Sequence, residues 1–172
     1  ILLNTSDDRN QFKLITTDRL SYQNDADISY SFNYKQDDFS KASSYKLDTF
    51  SSAIGIGYKI NNNLYHNIDF EYVLKDYKVT NSSTVSNTIL NSSGSNISYL
   101  IKNNFRYSTL NPGFVSRNGN FINFNNTIES PTSSNNGFFK NIITFKKYFS
   151  NKNSIYAVQG KVGNIFSLNN ND

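Results

Sequence analysis

From Ala26 to Lys35 apolar and polar side chains alternate without a break. Ala26, Ile28, Tyr30, Phe32 and Tyr34 fall on one parity, and Asp27, Ser29, Ser31, Asn33 and Lys35 on the other. Successive side chains of a strand point to opposite faces, so a period of two predicts a strand with two chemically opposed faces. The pattern recurs three times. Phe50, Ile54, Ile56, Tyr58 and Ile60 alternate with Ser51, Ala53, Gly55, Gly57 and Lys59. Leu64, Ile68, Phe70, Tyr72 and Leu74 oppose Asn67, Asp69, Glu71 and Lys75, and Ile97, Tyr99, Ile101, Phe105 and Tyr107 oppose Ser98, Lys102, Asn104 and Arg106. Residues 11–20, 119–129, 138–149 and 154–166 give weaker runs, the last with Tyr156, Val158, Val162 and Phe166 facing Gln159, Lys161 and Gly163. In residues 138–149 both parities carry Phe, Ile and Lys, so neither is assigned as inner. The expectation is eight antiparallel strands of about ten residues or more, the length a tilted strand needs to cross a bilayer.

The connections between these runs alternate in length. A short turn near Gln23 to Asp25 is followed by a longer one near Asp37 to Tyr45. The tight Asn61-Asn62-Asn63 comes next, then a long Ser/Thr/Asn-rich stretch from about Lys78 to Asn96. Thr109 to Asn118, Ser130 to Gly137 and the short Ser150 to Asn153 complete the series. Short turns on one side and longer polar loops on the other are the wiring of an outer-membrane meander, with the short side in the periplasm.

Composition supports strands and removes several function classes. Fourteen Phe and twelve Tyr supply all of the 15% aromatic content, without Trp or Met, and the hydrophobic fraction is only 37% in 172 residues. Aromatic residues interleaved with small polar ones suit a sheet with one wet face. The net charge of +4 is spread among acidic residues without a basic run, which argues against nucleic acid. The absence of Cys excludes disulfides and thiolate metal sites. No run approaches the roughly 18 apolar residues of a spanning helix. Because Ile1 is not an initiator Met, a fragment or processed product is expected.

Alternation alone also fits a soluble β-sandwich. Three features favour the membrane: strands longer than the usual five or six residues, polar faces that mix small residues with charges, and aromatics near strand ends, such as Tyr58 and Tyr72. A sheet in lipid must close into a barrel, since an open edge leaves peptide groups unpaired.

The segment Tyr107 to Gly119, YSTLNPGFVSRNG, resembles an element of BamA-type outer-membrane protein assembly factors that reads approximately Y-D-T-R-D-N-x-x-x-P-T-S-G. Tyr107 and Gly119 match at the family spacing, and Asn111 stands at the usual Asp. Pro112 replaces Asn, and Ser116 stands where Pro is expected. The FFKNIITFKKYFS stretch from Phe138 to Ser150 is similar to a family strand, and Gly160-Lys161-Val162-Gly163 resembles its R-G-x-x-G-x-I. Upstream, FKLITTDRLSYQNDADISYSFNY looks like the family's strand pair joined by an E-P-x-x-L-G-R-D-like turn.

The resemblance covers nearly the whole chain in family order. It implies that residues 1–172 are a partial outer-membrane barrel domain, strands four to eleven of sixteen. The periplasmic POTRA domains, the first strands, the loop bearing the Val-Arg-Gly-Phe motif and the closing strands would then lie outside this chain, and both halves of the lateral gate with them. It further implies a non-enzymatic insertase in the bacterial outer membrane. Its partners would be lipid, nascent β-barrel substrates and assembly-complex lipoproteins, with no cofactor. Among relatives, BamA, TamA and organellar import barrels stay open. A small complete eight-stranded barrel with a structural or transport role is the alternative, although the terminal NNND lacks the usual final aromatic residue. A secreted adhesin-like β-domain is a third reading.

Candidate sites are few, and no residue is assigned as catalytic, cofactor-binding or metal-binding. His66, the sole His, has no second His or Cys to complete a metal site and shares a parity with Leu64 and Ile68. It reads as an interfacial polar residue. Asp69, Glu71 and Lys75 share a face, as do Asp27 and Lys59 on their strands. They read as a hydrated lumen lining in preference to a catalytic cluster. Gly55 and Gly57 thin the inner wall, either for a plug or partner or to relieve a curved sheet. The Asn-x-Ser/Thr matches at Asn4, Asn81, Asn91 and Asn96 reflect an Asn/Ser-rich chain.

Overall fold

A computed structural model of the protein describes residues 1–19, 26–110, 118–132, 136–151 and 154–168. The short turn expected near Gln23, the centre of the Tyr107–Gly119 motif and the chain end at Asn169 to Asp172 lie outside the described residues. Among the described residues nine strands follow one another: β1 (Leu2–Ser6), β2 (Arg9–Arg19), β3 (Ala26–Asp38), β4 (Tyr45–Asn61), β5 (Leu64–Val79), β6 (Gly94–Ser108), β7 (Gly119–Glu129), β8 (Phe138–Asn151) and β9 (Ser154–Ser167). They form one sheet in chain order, every neighbour antiparallel. Among the described residues no strand pairs with the outer edge of β1 or β9.

The fold is the expected antiparallel meander, with two differences. A ninth strand, β1, precedes the eight. It has 5 residues, too few for a legible alternation, and pairs with residues 9–13 of β2 alone. The central strands are also longer than their apolar runs: β4 has 17 residues and β5 has 16. The loops shrink accordingly, and two short helices fill them, α1 (Ser40–Ser43) after β3 and α2 (Asn87–Asn91) after β5. Ser86 caps α2 by accepting the Ile89 N–H at 3.4 Å.

Register explains the long strands. Directly opposed residues share a face, so Tyr30, Ile54, Phe70, Ile101, Ile128, Phe139 and Phe166 form one continuous row on the apolar side. On β4 that side is apolar or small from Phe50 to Tyr58. Beyond Phe50, the same parity carries Lys46 and Asp48, and on β5 Asp76 and Lys78. At about 3.3 Å per residue the Phe50–Tyr58 run is about 26 Å long, or ~20 Å of height at a barrel tilt of ~40°. That approximates the apolar band of an outer-membrane barrel, roughly 25 Å. The extra length of β4 and β5 therefore projects past the band as a charged rim. There Lys46 pairs with Asp38 at 2.7 Å and Lys78 with Asp48 at 2.5 Å. The bond to Asp48 raises the Lys78 ammonium above its ordinary pKa, and Lys46 and Ser40 hold the Asp38 carboxyl well below its own.

The Tyr107–Gly119 motif gains a physical reason at its last position. Gly119 opens β7 with φ of 126°, and a Cβ there would lie 2.5 Å from the Thr109 carbonyl oxygen. Thr109 and Asn120 close the strand ends, Thr109 N–H donating to Asn120 O and Asn120 N–H to Thr109 Oγ1, each at 2.9 Å. Gly119→Ala is expected to cost about 1–3 kcal/mol, from backbone strain and this clash. Chemical unfolding of the full-length protein checks this, and an unchanged midpoint would contradict it.

Candidate functional site

Two faces of one sheet carry whatever this chain does. On the apolar side Tyr30, Ile54, Ile56 and Phe70 are 44–50% exposed, as large apolar groups on a water-facing surface seldom are together. The opposite side is the sheltered one, where Asp37 is 4% exposed and Gly55 and Gly57 are buried. Ile28, Tyr30, Phe32, Ile54, Ile56, Phe70 and Tyr72 share the first side, and Asp27, Ser29, Gly55, Gly57, Asp69 and Glu71 the second. The inner face of β8 is now assigned: Lys140, Ile142, Thr144, Lys146 and Tyr148 follow the polar parity, and Phe139, Ile143, Phe145 and Phe149 the apolar one.

The polar side holds a sequence of ionic and amide contacts. At the charged-rim end Asp37 receives Arg9 Nε at 2.7 Å and Lys35 Nζ at 2.5 Å. Further along, Lys102 contacts Glu71, Asn67 Nδ2 donates to Asp69 at 2.6 Å, and Tyr65 donates its hydroxyl proton to Asp27 at 3.2 Å. Arg106 lies 5.0 Å from the Tyr65 ring centroid. Gln11, Ser31, Ala53, Glu71 and Lys102 border a shallow recess of about 410 Å³. Asp69 and Glu71 thus sit near Lys102, whereas Asp27 engages Tyr65, and Lys75 stands opposite Thr49 and Asn96. A Cβ at Gly55 would meet the Asp69 and Ser29 side chains, so that glycine makes room for its polar neighbours. Among the described residues no group of three His, Asp or Glu gathers as a metal site. The arrangement can hydrate and hold a surface.

His66 lies on the apolar side, buried at 8% exposure. Its ring stacks on Phe105 with centroids 3.9 Å apart, and Nδ1 and the Tyr58 hydroxyl are 2.8 Å apart. Nε2 has no partner. An aromatic run from Tyr58 through His66 and Phe105 to Phe124 thereby marks the band's edge near the Asn61–Asn63 turn.

Sequence reasoning missed the Arg9–Asp37 and Lys102–Glu71 pairs, which join residues far apart in the chain. It also passed over Asn103, the one gap in the parity of Ile97, Tyr99, Ile101, Phe105 and Tyr107.

A family model, the Omp85 superfamily domain, matches residues 1–172. The structure is similar to that of BamA from Haemophilus ducreyi lacking POTRA domains 1–3, with a TM-score of 0.71 and 17% sequence identity. The similarity covers 93% of this chain and 34% of that one, so the chain spans about a third of the BamA chain it matches. No functionally curated protein matches the chain. With the family matched over its full length and a sheet that alternates between an apolar band and a polar wall, the chain belongs to the Omp85 superfamily and is part of a bacterial outer-membrane β-barrel, in a family of non-enzymatic insertion and transport scaffolds.

Proposed function

We propose that residues 1–172 are the middle wall of a larger barrel, about sixteen strands in all, in a protein that folds and inserts other β-barrels into the outer membrane. The observation that carries this is the open sheet. Among the described residues nine strands in chain order leave the outer edges of β1 and β9 without a strand, and a bilayer does not tolerate open lipid-facing edges. Further strands of the same barrel satisfy them. The likeness to a BamA barrel over 93% of the chain supports the same reading. In this role the wall lends rigidity and an apolar belt, while substrate strands pair elsewhere in the protein, with assembly lipoproteins as its partners. The alternative is a small structural or transport barrel, in which β1 and β9 meet.

The test is reconstitution. Full-length protein in liposomes, with its accessory proteins, should accelerate the folding of an unfolded outer-membrane barrel over empty liposomes. Equal rates would contradict the role.

The orientation gives a second test. The 80–93 connection is the longest between described strands and is expected to face outward, opposite the Asn61–Asn63 turn. A cysteine replacing Ser83 should react with an impermeant maleimide in intact cells. One replacing Asn62 should react only after permeabilisation. Equal labelling of both before permeabilisation would overturn the topology.

A further inference from the structure

The sheet segregates its charge. At the lipid-side rim Lys46 and Lys78 are offset by Asp38, Asp48 and Asp76, so the chain's net charge of +4 is not carried there. On the lumen side, β6 to β8 present Lys102, Arg106, Lys140 and Lys146, and β9 presents Lys161. Glu129 is the one carboxylate among the described lumen positions of these strands. Glu71 meets Lys102, and Glu129 lies diagonally across from Lys140. Arg106, Lys146 and Lys161 have no carboxylate at any directly opposed or diagonal position of the described strands.

These three cations lie in the half of the wall nearer the Asn61–Asn63 turn, and they surround Thr144. Lys161 is the direct cross-strand partner of Thr144, and Lys146 is the next residue of the same face. Arg106 stands in the same row two strands away, through Asn123, at about 10 Å. All three therefore fall within roughly one screening length of Thr144 at 0.1 M salt, about 10 Å. Aromatic rings hold two of them against the wall without neutralising them. Arg106 lies over Tyr65, and Lys146 Nζ is 5.8 Å from the Phe121 ring centroid.

We propose that this stretch of the lumen wall is an anion-selecting surface, carried by Arg106, Lys146 and Lys161, which concentrates small anions inside the barrel and repels small cations. Charged side chains lining a passage set the sign of the ions it admits, because their field raises the local concentration of the opposite charge. The spacing points to a field and not to a pocket. Arg106 and Lys161 are three strands apart, about 14 Å, too far to grip one small anion together. Selection is therefore by sign of charge, for chloride, phosphate and small carboxylates alike. It goes beyond the insertase reading and does not depend on it.

The test reads the local potential with small charged probes. Full-length protein carrying a single reactive cysteine, Thr144→Cys or Ser29→Cys, is treated with an anionic sulfonate and a cationic trimethylammonium thiol reagent of similar size. Ser29 is the reference within the lumen, since Asp27 is its neighbour on the same face and Asp69 lies in its row. The ratio of anionic to cationic rate is expected to be about tenfold or more higher at Thr144→Cys than at Ser29→Cys in low salt. That excess should collapse at 1 M salt, where the screening length is about 3 Å. Lys146→Gln and Lys161→Gln should each lower it, and the double change most. Lys78→Gln, on the lipid-side rim, should leave it unchanged. Equal ratios at the two cysteines, a ratio unmoved by the double change, or a Thr144→Cys thiol that neither reagent reaches would each overturn the inference, and none of these results bears on the insertase reading.

Discussion

Ile54→Arg is expected to destabilise the protein in a bilayer by about 2–4 kcal/mol, with Ile56→Arg costing somewhat less. Ile54 lies midway between Phe50 and Tyr58 on the band of β4, opposite Tyr30 and Phe70, and is 46% exposed. A guanidinium there meets hydrocarbon, and it must reach an interface along its own stem. Ile56 is nearer the Tyr58–His66 edge, where that reach is shorter. Ser31→Arg, on the opposite parity between Ile15 and Ala53, supplies the control. It should cost well under the Ile54 change, because its face is hydrated. Denaturant titration of the full-length protein in vesicles reads all three. Equal costs at Ile54 and Ser31 would mean that the two faces share a solvent, which a membrane wall does not allow.

The second large effect concerns the chain on its own. Residues 1–172 expressed alone are expected to aggregate, or to stay protease-sensitive in detergent, where the full-length protein is compact. Among the described residues no strand lies beyond β9, and on the other side β1 covers only residues 9–13 of β2, so no strand faces Leu14 to Arg19 either. Unpaired peptide groups along such edges cost free energy in lipid and recruit other strands in water. A monomeric, protease-resistant form with the slow backbone exchange of a closed sheet would contradict the arc reading and promote the small barrel.

The meander was legible because period-two alternation is a local signal. Wherever one face is apolar and the other polar, as from Ala26 to Lys35, parity fixes which side chains share a surface, and β3, β4 and β5 follow it residue by residue. Legibility failed where the signal is mixed or short. β8 carries apolar groups on both parities, Ile142 and Tyr148 among the polar ones, so only its register with β7 and β9 tells the faces apart. β1 was too short to show a period. The rim was hidden too, since Lys46, Asp48, Asp76 and Lys78 end the apolar pattern without ending the strands. Pairing across the sheet was the least accessible. Asn103 and Asn164 interrupt apolar parities on strands far apart in the chain, and only the β6–β9 register shows that they lie in one row.

The measurement that bears most directly on the central claim is disulfide trapping between the two edges in the full-length protein in its membrane. Cysteines are placed in turn at Leu3 or Thr5 of β1 and at Val158, Gly160 or Val162 of β9, with an adjacent β8–β9 pair, Ile143 with Val162, as the positive control. The account predicts a trapped β8–β9 bond and none between β1 and β9, since other strands of the barrel stand between them. Efficient β1–β9 bonding within one molecule would contradict it: these nine strands would then close on themselves as a small barrel.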